Sequence, residues 1–154
     1  MFENRRLSRI CVTMMAAVAL AGCGKGADTH AKIASDVAVQ LQAASDAIAT
    51  VSDKASAEAA GKKITDAADQ IDKVAVRMKK LPKPTEQEDT AIRSEMKPKM
   101  EAIRTQMQSS MIRLQGKADA LTALQGPMTR LQMSLMGMST GAPPSSIPPG
   151  ALNQ

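Results

Sequence analysis

Aromatic residues are almost missing from this chain: there is no Trp, no Tyr, and a single Phe, Phe2, among 154 residues. Without rings, single-stranded nucleic acid has no stacking platform, and a protein interface has no aromatic anchor. Neither a sugar-binding cleft nor a nucleic-acid partner is expected. Histidine is equally scarce, with His30 alone. Cysteine occurs twice, as Cys11 and Cys23. The β-branched and aromatic runs that make strands are absent, whereas good helix formers abound. An all-α fold follows.

The N-terminus carries Arg5, Arg6 and Arg9, then an apolar run from Ile10 to Leu20, then Ala21-Gly22-Cys23. A basic start, a short apolar core and small residues before a cut make a secretory signal. The apolar run falls short of the about 20 residues that span a bilayer. Read as an ordinary signal cut after Gly22, it would leave Cys23 as a free thiol. Leu20-Ala21-Gly22-Cys23, however, resembles the lipobox of bacterial lipoproteins: an aliphatic residue, two small ones, then a cysteine that is acylated and becomes the new N-terminus. The resemblance implies cleavage between Gly22 and Cys23 and a diacylglyceryl, palmitate-bearing Cys23 as the membrane partner. Two or more acyl chains anchor stably where one does not. In the lipoproteins it resembles, a residue such as Gly24 in place of Asp implies the outer membrane, facing the periplasm, over retention at the inner one. Cys11 then leaves with the signal and lipidation consumes Cys23, so no disulfide can form.

Without residues 1–22, Lys plus Arg falls from 20 to 17 and Asp plus Glu from 15 to 14, a net charge of +3. The remaining chain suffices for one domain. After a tether over 23–29, Ile33, Val37, Leu41, Ala44, Ile48 and Val51 mark one face of a first helix. Asp53 or Ser56 caps a second, which carries Ala57, Ala60, Ile64, Ala67, Ile71, Val74, Met78 and Leu81. Gly61 is a weak point in it. Pro82 and Pro84 end it. Thr85 and Glu88 form a capping box for a third helix, read here as running from 86 to 125. Its stripe keeps phase across Pro98, which predicts a kink. Gly126-Pro127 closes it, and residues 127–138 make a short Met-rich helix. The Pro/Ser/Gly tail over 139–154 is expected to be disordered. The expected architecture is an antiparallel three-helix bundle, or coiled-coil-like hairpins, over 30–126. The third helix is long and kinked, and a signal helix precedes the bundle. The turn over 51–57 and the linker over 81–85 resemble those of small uncharacterised helical envelope lipoproteins, a likeness that implies no activity.

No activated constellation is visible, and neither an enzyme nor a cofactor is expected. Asp66, Asp69 and Asp72, three apart, read as a solvated helix face. Methionines are the unusual group. Met96, Met100, Met107 and Met111 lie on the apolar stripe and read as core filler. Met133, Met136 and Met138 are less explained by a core, and soft thioethers suit Cu(I). His30 reads as a solvated tether residue.

Two further inferences concern surfaces. Arg77, Lys79, Lys80 and Lys83 would lie at the anchored end of an up-down-up bundle. They either face anionic headgroups or complement the C-terminus of the second helix. A 40-residue third helix would reach about 60 Å, beyond a first helix of about 35 Å. Leu114, Leu121 and Leu124 would then project as an uncovered stripe for self-association or an envelope partner, unless residues 111–138 fold back. The expected role is structural or interaction-mediating in the cell envelope; a periplasmic Met-based Cu(I)-binding protein is the alternative.

Overall fold

The computed structural model describes residues 28–140. The signal segment, Gly22, Cys23 and the tail beyond Thr140 lie outside them. The described chain is all-helical, with four helices: α1 His30–Ala49, α2 Lys54–Met78, α3 Glu86–Leu114 and α4 Ala118–Thr140. None of them is long and apolar enough to cross a membrane.

Side chains begin three of the four. The Thr29 hydroxyl accepts from the Lys32 N–H at 3.1 Å. Asp53 and Ser56 share the second start: the Asp53 carboxylate accepts from the Ser56 N–H at 2.8 Å, and the Ser56 hydroxyl accepts from the Asp53 N–H at 2.9 Å. Thr85 and Glu88 form the expected capping box, the Glu88 carboxylate accepting from the Thr85 N–H at 2.9 Å. α3 continues through Pro98. The Ser94 carbonyl loses its helical N–H partner there, but the residue is exposed to water.

The expected 40-residue third helix is two helices. Gln115-Gly116-Lys117 breaks it, with Gly116 at φ 94° in the left-handed region. Glycine adopts this conformation without penalty just past a helix end, and the Lys117 N–H closes back on the Leu114 carbonyl at 2.9 Å. α4 then returns along α2. Leu114 and Leu124 are therefore fully buried, at 0% and 1% exposure. No stripe projects from the distal end, and the interaction surface expected at Leu114, Leu121 and Leu124 is not formed there. Leu121 is half-buried.

The helices run up-down-up-down. Arg113 donates to the Ala49 carbonyl at 2.5 Å and Lys117 to the Ser52 carbonyl at 2.7 Å, so the α1/α2 and α3/α4 turns share one end. α1 packs on α2 and α3, and α2 on α1 and α4. α2 and α3 do not meet, so the proline-stiffened linker over 79–85 crosses the opposite end diagonally. The core lies chiefly in the α1/α2 hairpin and against α4: Ala44, Ile48, Ala57, Ile64, Ala68 and Ile71 are fully enclosed.

Gly126-Pro127 does not end a helix; Pro127 sits inside α4. It fits because α2 offers Gly61 opposite: a Cβ built there would lie 3.0 Å from Pro127 Cγ. Gly61 is thus the notch for the ring rather than a simple weak point. In Gly61→Ala, the gain in helix propensity of about 1 kcal/mol opposes an overpacking cost of about 1–3 kcal/mol. A ring fused to the α4 backbone cannot swing away, so urea denaturation should show a net loss. In a Pro127→Ala background the same substitution should stabilise.

Candidate functional site

α3 rests on α1 and α4 rests on α2, but α3 and α4 scarcely touch each other. The side of the bundle between them is a trough floored by α1. Its upper part, nearer the turns, is a cavity of about 550 Å³ bounded by Leu41, Met107, Met111, Leu121, Met128 and Leu135, with Gln125, Thr129 and Gln132 among its polar lining residues. A second cavity of about 370 Å³ lies at the linker end. It is bounded by His30, Ile33 and Val37 of α1, Met78 at the end of α2, Pro84 of the linker, Ile92, Met96 and Met100 of α3, and Met138 of α4.

Seven of the nine methionines among the described residues line these two cavities, and none belongs to the fully buried core. Met107, Met111, Met128 and Met138 pack against the core from outside, so they extend it only in part. Met107 and Met111 are half-buried, packed on the core's outer side, and Met100 is 40% exposed. The sequence placed these residues on one stripe correctly; Ile103 of that stripe is buried, whereas Met96, Met107 and Met111 are only half-covered. The trio Met133, Met136 and Met138 does not converge. Positions 136 and 138 lie roughly 200° apart around the helix. Met136 is 59% exposed, while Met138 turns into the linker-end cavity. Among the described residues, no group of three or more His, Cys, Asp or Glu comes together to hold a metal.

The charged groups act mainly as ties between helices. Arg130 of α4 donates to Asp69 at 3.1 Å and to Asp72 at 2.5 Å, so two carboxylates of the α2 series bind α4 to α2. Asp66 borders a separate shallow pocket with Gly61 and Pro127. Arg77 donates to Asp28, ahead of α1, and to Asp36 within it at 2.9 Å. This contact joins the end of α2 to the start of α1. It also takes Arg77, half-buried, out of the expected basic cluster. Lys79, Lys80 and Lys83 remain exposed at that same end of the bundle.

Hydrogen bonds from Arg77 hold the Asp28 carboxyl below the usual range. At Asp36 partial desolvation pushes upward, and the bonds from Arg77 and Lys32 outweigh it. The Glu88 carboxyl is lowered by the Thr85 N–H and hydroxyl, with a smaller contribution from nearby His30. No family model, curated protein or solved structure matches the chain, so the trough is read from its own residues.

Depressed carboxyl values in the folded state mean that the unfolded chain binds more protons during acidification. The Arg77 tie contributes stability above the unfolded aspartate value of about 3.9 and loses it as pH falls through the lower folded values. Urea midpoints measured between pH 7 and pH 2 should therefore drop for wild type below about pH 4. Arg77→Gln should start lower at neutral pH and lose less on acidification.

Proposed function

We propose that this protein is a lipid-anchored component of the cell envelope, held at the outer membrane by acylated Cys23, whose α3/α4 trough receives an amphipathic helix of an envelope partner. The anchor rests on the Leu20-Ala21-Gly22-Cys23 pattern. The observation that carries the interaction role is the open side of the bundle. Two helices attached to an inner hairpin, and scarcely to each other, leave apolar side chains facing a cavity of about 550 Å³.

A helix is the occupant that fits. The α4 wall runs from Leu121 to Leu135, about 21 Å or four turns. Parallel helical walls accept a third helix by ridge-and-groove packing, and apolar residues at i, i+3, i+4 and i+7 would meet the floor. Unbranched methionine side chains repack around an incoming surface more readily than branched ones. The partner would thus meet the trough rather than the distal end, where Leu114 and Leu124 are buried. The exposed lysines at the linker end would lie near anionic headgroups, each adding about 1 kcal/mol when close to the surface.

The test is a photo-crosslinking residue at Gln125, in the trough, compared with one at Val39, which is 59% exposed. In intact cells, a heterologous envelope protein should be captured from position 125 and not from 39. Met107→Gln with Met111→Gln should abolish that product. Equal capture from both positions, or capture only of a second copy of this chain, would refute the trough reading. The anchor is tested separately: Cys23→Ala should move the protein from the membrane to the soluble fraction, and unchanged fractionation would end the lipoprotein reading.

A further inference from the structure

The linker-end cavity differs in kind from the trough above it. Four methionines line it from three helices, Met78 of α2, Met96 and Met100 of α3 and Met138 of α4. The fourth helix, α1, contributes His30, the sole histidine of the chain. Leucine would close an apolar gap here at lower entropic cost, since a methionine loses more rotamer freedom on burial. The apolar neighbours Ile33 and Val37 show that the position accepts branched residues. Besides a flexible fit, methionine adds a soft sulfur donor.

We propose that this cavity binds a single soft monovalent cation, Cu(I) or Ag(I), through thioethers of the Met78, Met96, Met100 and Met138 set together with the His30 imidazole. Thioether and imidazole ligands suit Cu(I), whereas hard divalent cations call for oxygen donors. All five donors are neutral when bound, so the ion's single charge needs little compensation. Asp89 also lines the cavity, engaged with Arg93 at 2.8 Å, and leaves the rim close to neutral. The site is open to solvent, with Met100 40% exposed, so an ion can enter without unfolding. It is distinct from the Met133, Met136 and Met138 trio, of which only Met138 belongs to it. It also stands whether or not the upper trough binds a helix.

Methionine-to-leucine exchange keeps volume and apolar surface while removing the donor, which separates coordination from packing. The full chain is used with Cys11→Ser and Cys23→Ser, so that neither thiol competes. Ag(I) serves as the air-stable probe and Cu(I) under anaerobic reduction as the second. Calorimetry and native mass spectrometry should show one ion per chain, with shifts of the methyl resonances of Met78, Met96, Met100 and Met138. Met96→Leu with Met100→Leu should weaken binding at least tenfold, and His30→Ala should weaken it to a smaller extent. Met107→Leu with Met111→Leu, in the upper trough, should leave it unchanged. Matching urea midpoints would show that each variant is folded; if the double variant is not, the single Met96→Leu and the methyl shifts of the otherwise unsubstituted chain decide. Absence of a stoichiometric adduct, or equal loss from the upper-trough pair, would overturn the proposal.

Discussion

Small buried side chains where α2 packs against α1 and α4 form the contact on which the rest of the bundle depends. Ala44, Ala47, Ala57, Ala60, Ala67 and Ala68 are buried there or beside it, interleaved with Ile48, Ile64 and Ile71 at 0% exposure. Interaxial distance is set by the side chains at the contact, so alanine lets the two backbones approach and the isoleucines fill the space that remains. Truncating one enclosed isoleucine would cost about 2–5 kcal/mol. An exposed ion pair contributes about 0–1 kcal/mol. The packed hairpin, not the charges around it, therefore carries most of the stability, and the charges fix which helix lies where. One polar atom breaks the pattern: the Ser45 hydroxyl is enclosed without a hydrogen-bond partner, a cost of about 1–3 kcal/mol that the surrounding packing absorbs.

A slim inner hairpin leaves the outer helices with different tasks. α4 is bound along α2 by Leu124, Leu131 and the Pro127–Gly61 fit, and by Arg130 reaching two aspartates. α3 has far less: Ile103, Ser110 and Leu114 are its only buried residues, all in its second half. The cations Arg113 and Lys117 fasten the distal turns to the carbonyl ends of α1 and its loop, where a helix C-terminus attracts positive charge. Everything that holds α3 firmly is thus at one end.

Much of this was legible in the residues. The apolar spacing from Ile33 to Val51 and from Ala57 to Val74, the cap at Asp53 or Ser56, the Thr85–Glu88 capping box and the Pro82/Pro84 linker place α1, α2 and the start of α3 where the structure has them. Two features were not. Gly116 lay inside a stripe that stays in phase across it, and periodicity alone cannot tell a helix that continues from one that reverses and resumes; the glycine itself was the signal that could have located the turn. Gly126-Pro127 reads locally as a stop, and only a glycine sixty-five residues earlier explains why it is not. Side-chain ties are a third case. Arg77 looks like part of a basic run until the fold brings Asp28 and Asp36 beside it, and no spacing rule joins residues forty or more positions apart.

The weak hold on the first half of α3 bears directly on how the open side works. Between Glu86 and Ala102 only Asp89, Ile92 and Met96 are even half-buried, and Pro98 removes one backbone hydrogen bond in the middle. Segments with few buried contacts open at lower free energy than the core does. The Thr85–Glu88 box fixes where the helix begins, but it does not attach that helix to its neighbours. The wall carrying Met96 and Met100, at the linker-end cavity, is therefore the part that can yield, while Met107 and Met111, which bound the upper cavity with Met128 and Leu131, lie on the firmly held half of α3. A ligand that occupies the linker-end cavity and binds the folded state alone would raise stability in proportion to RT ln(1 + [L]/Kd). The open side thus has a firm upper end and a compliant linker end, and the compliant end can adjust without disturbing the packed core beneath.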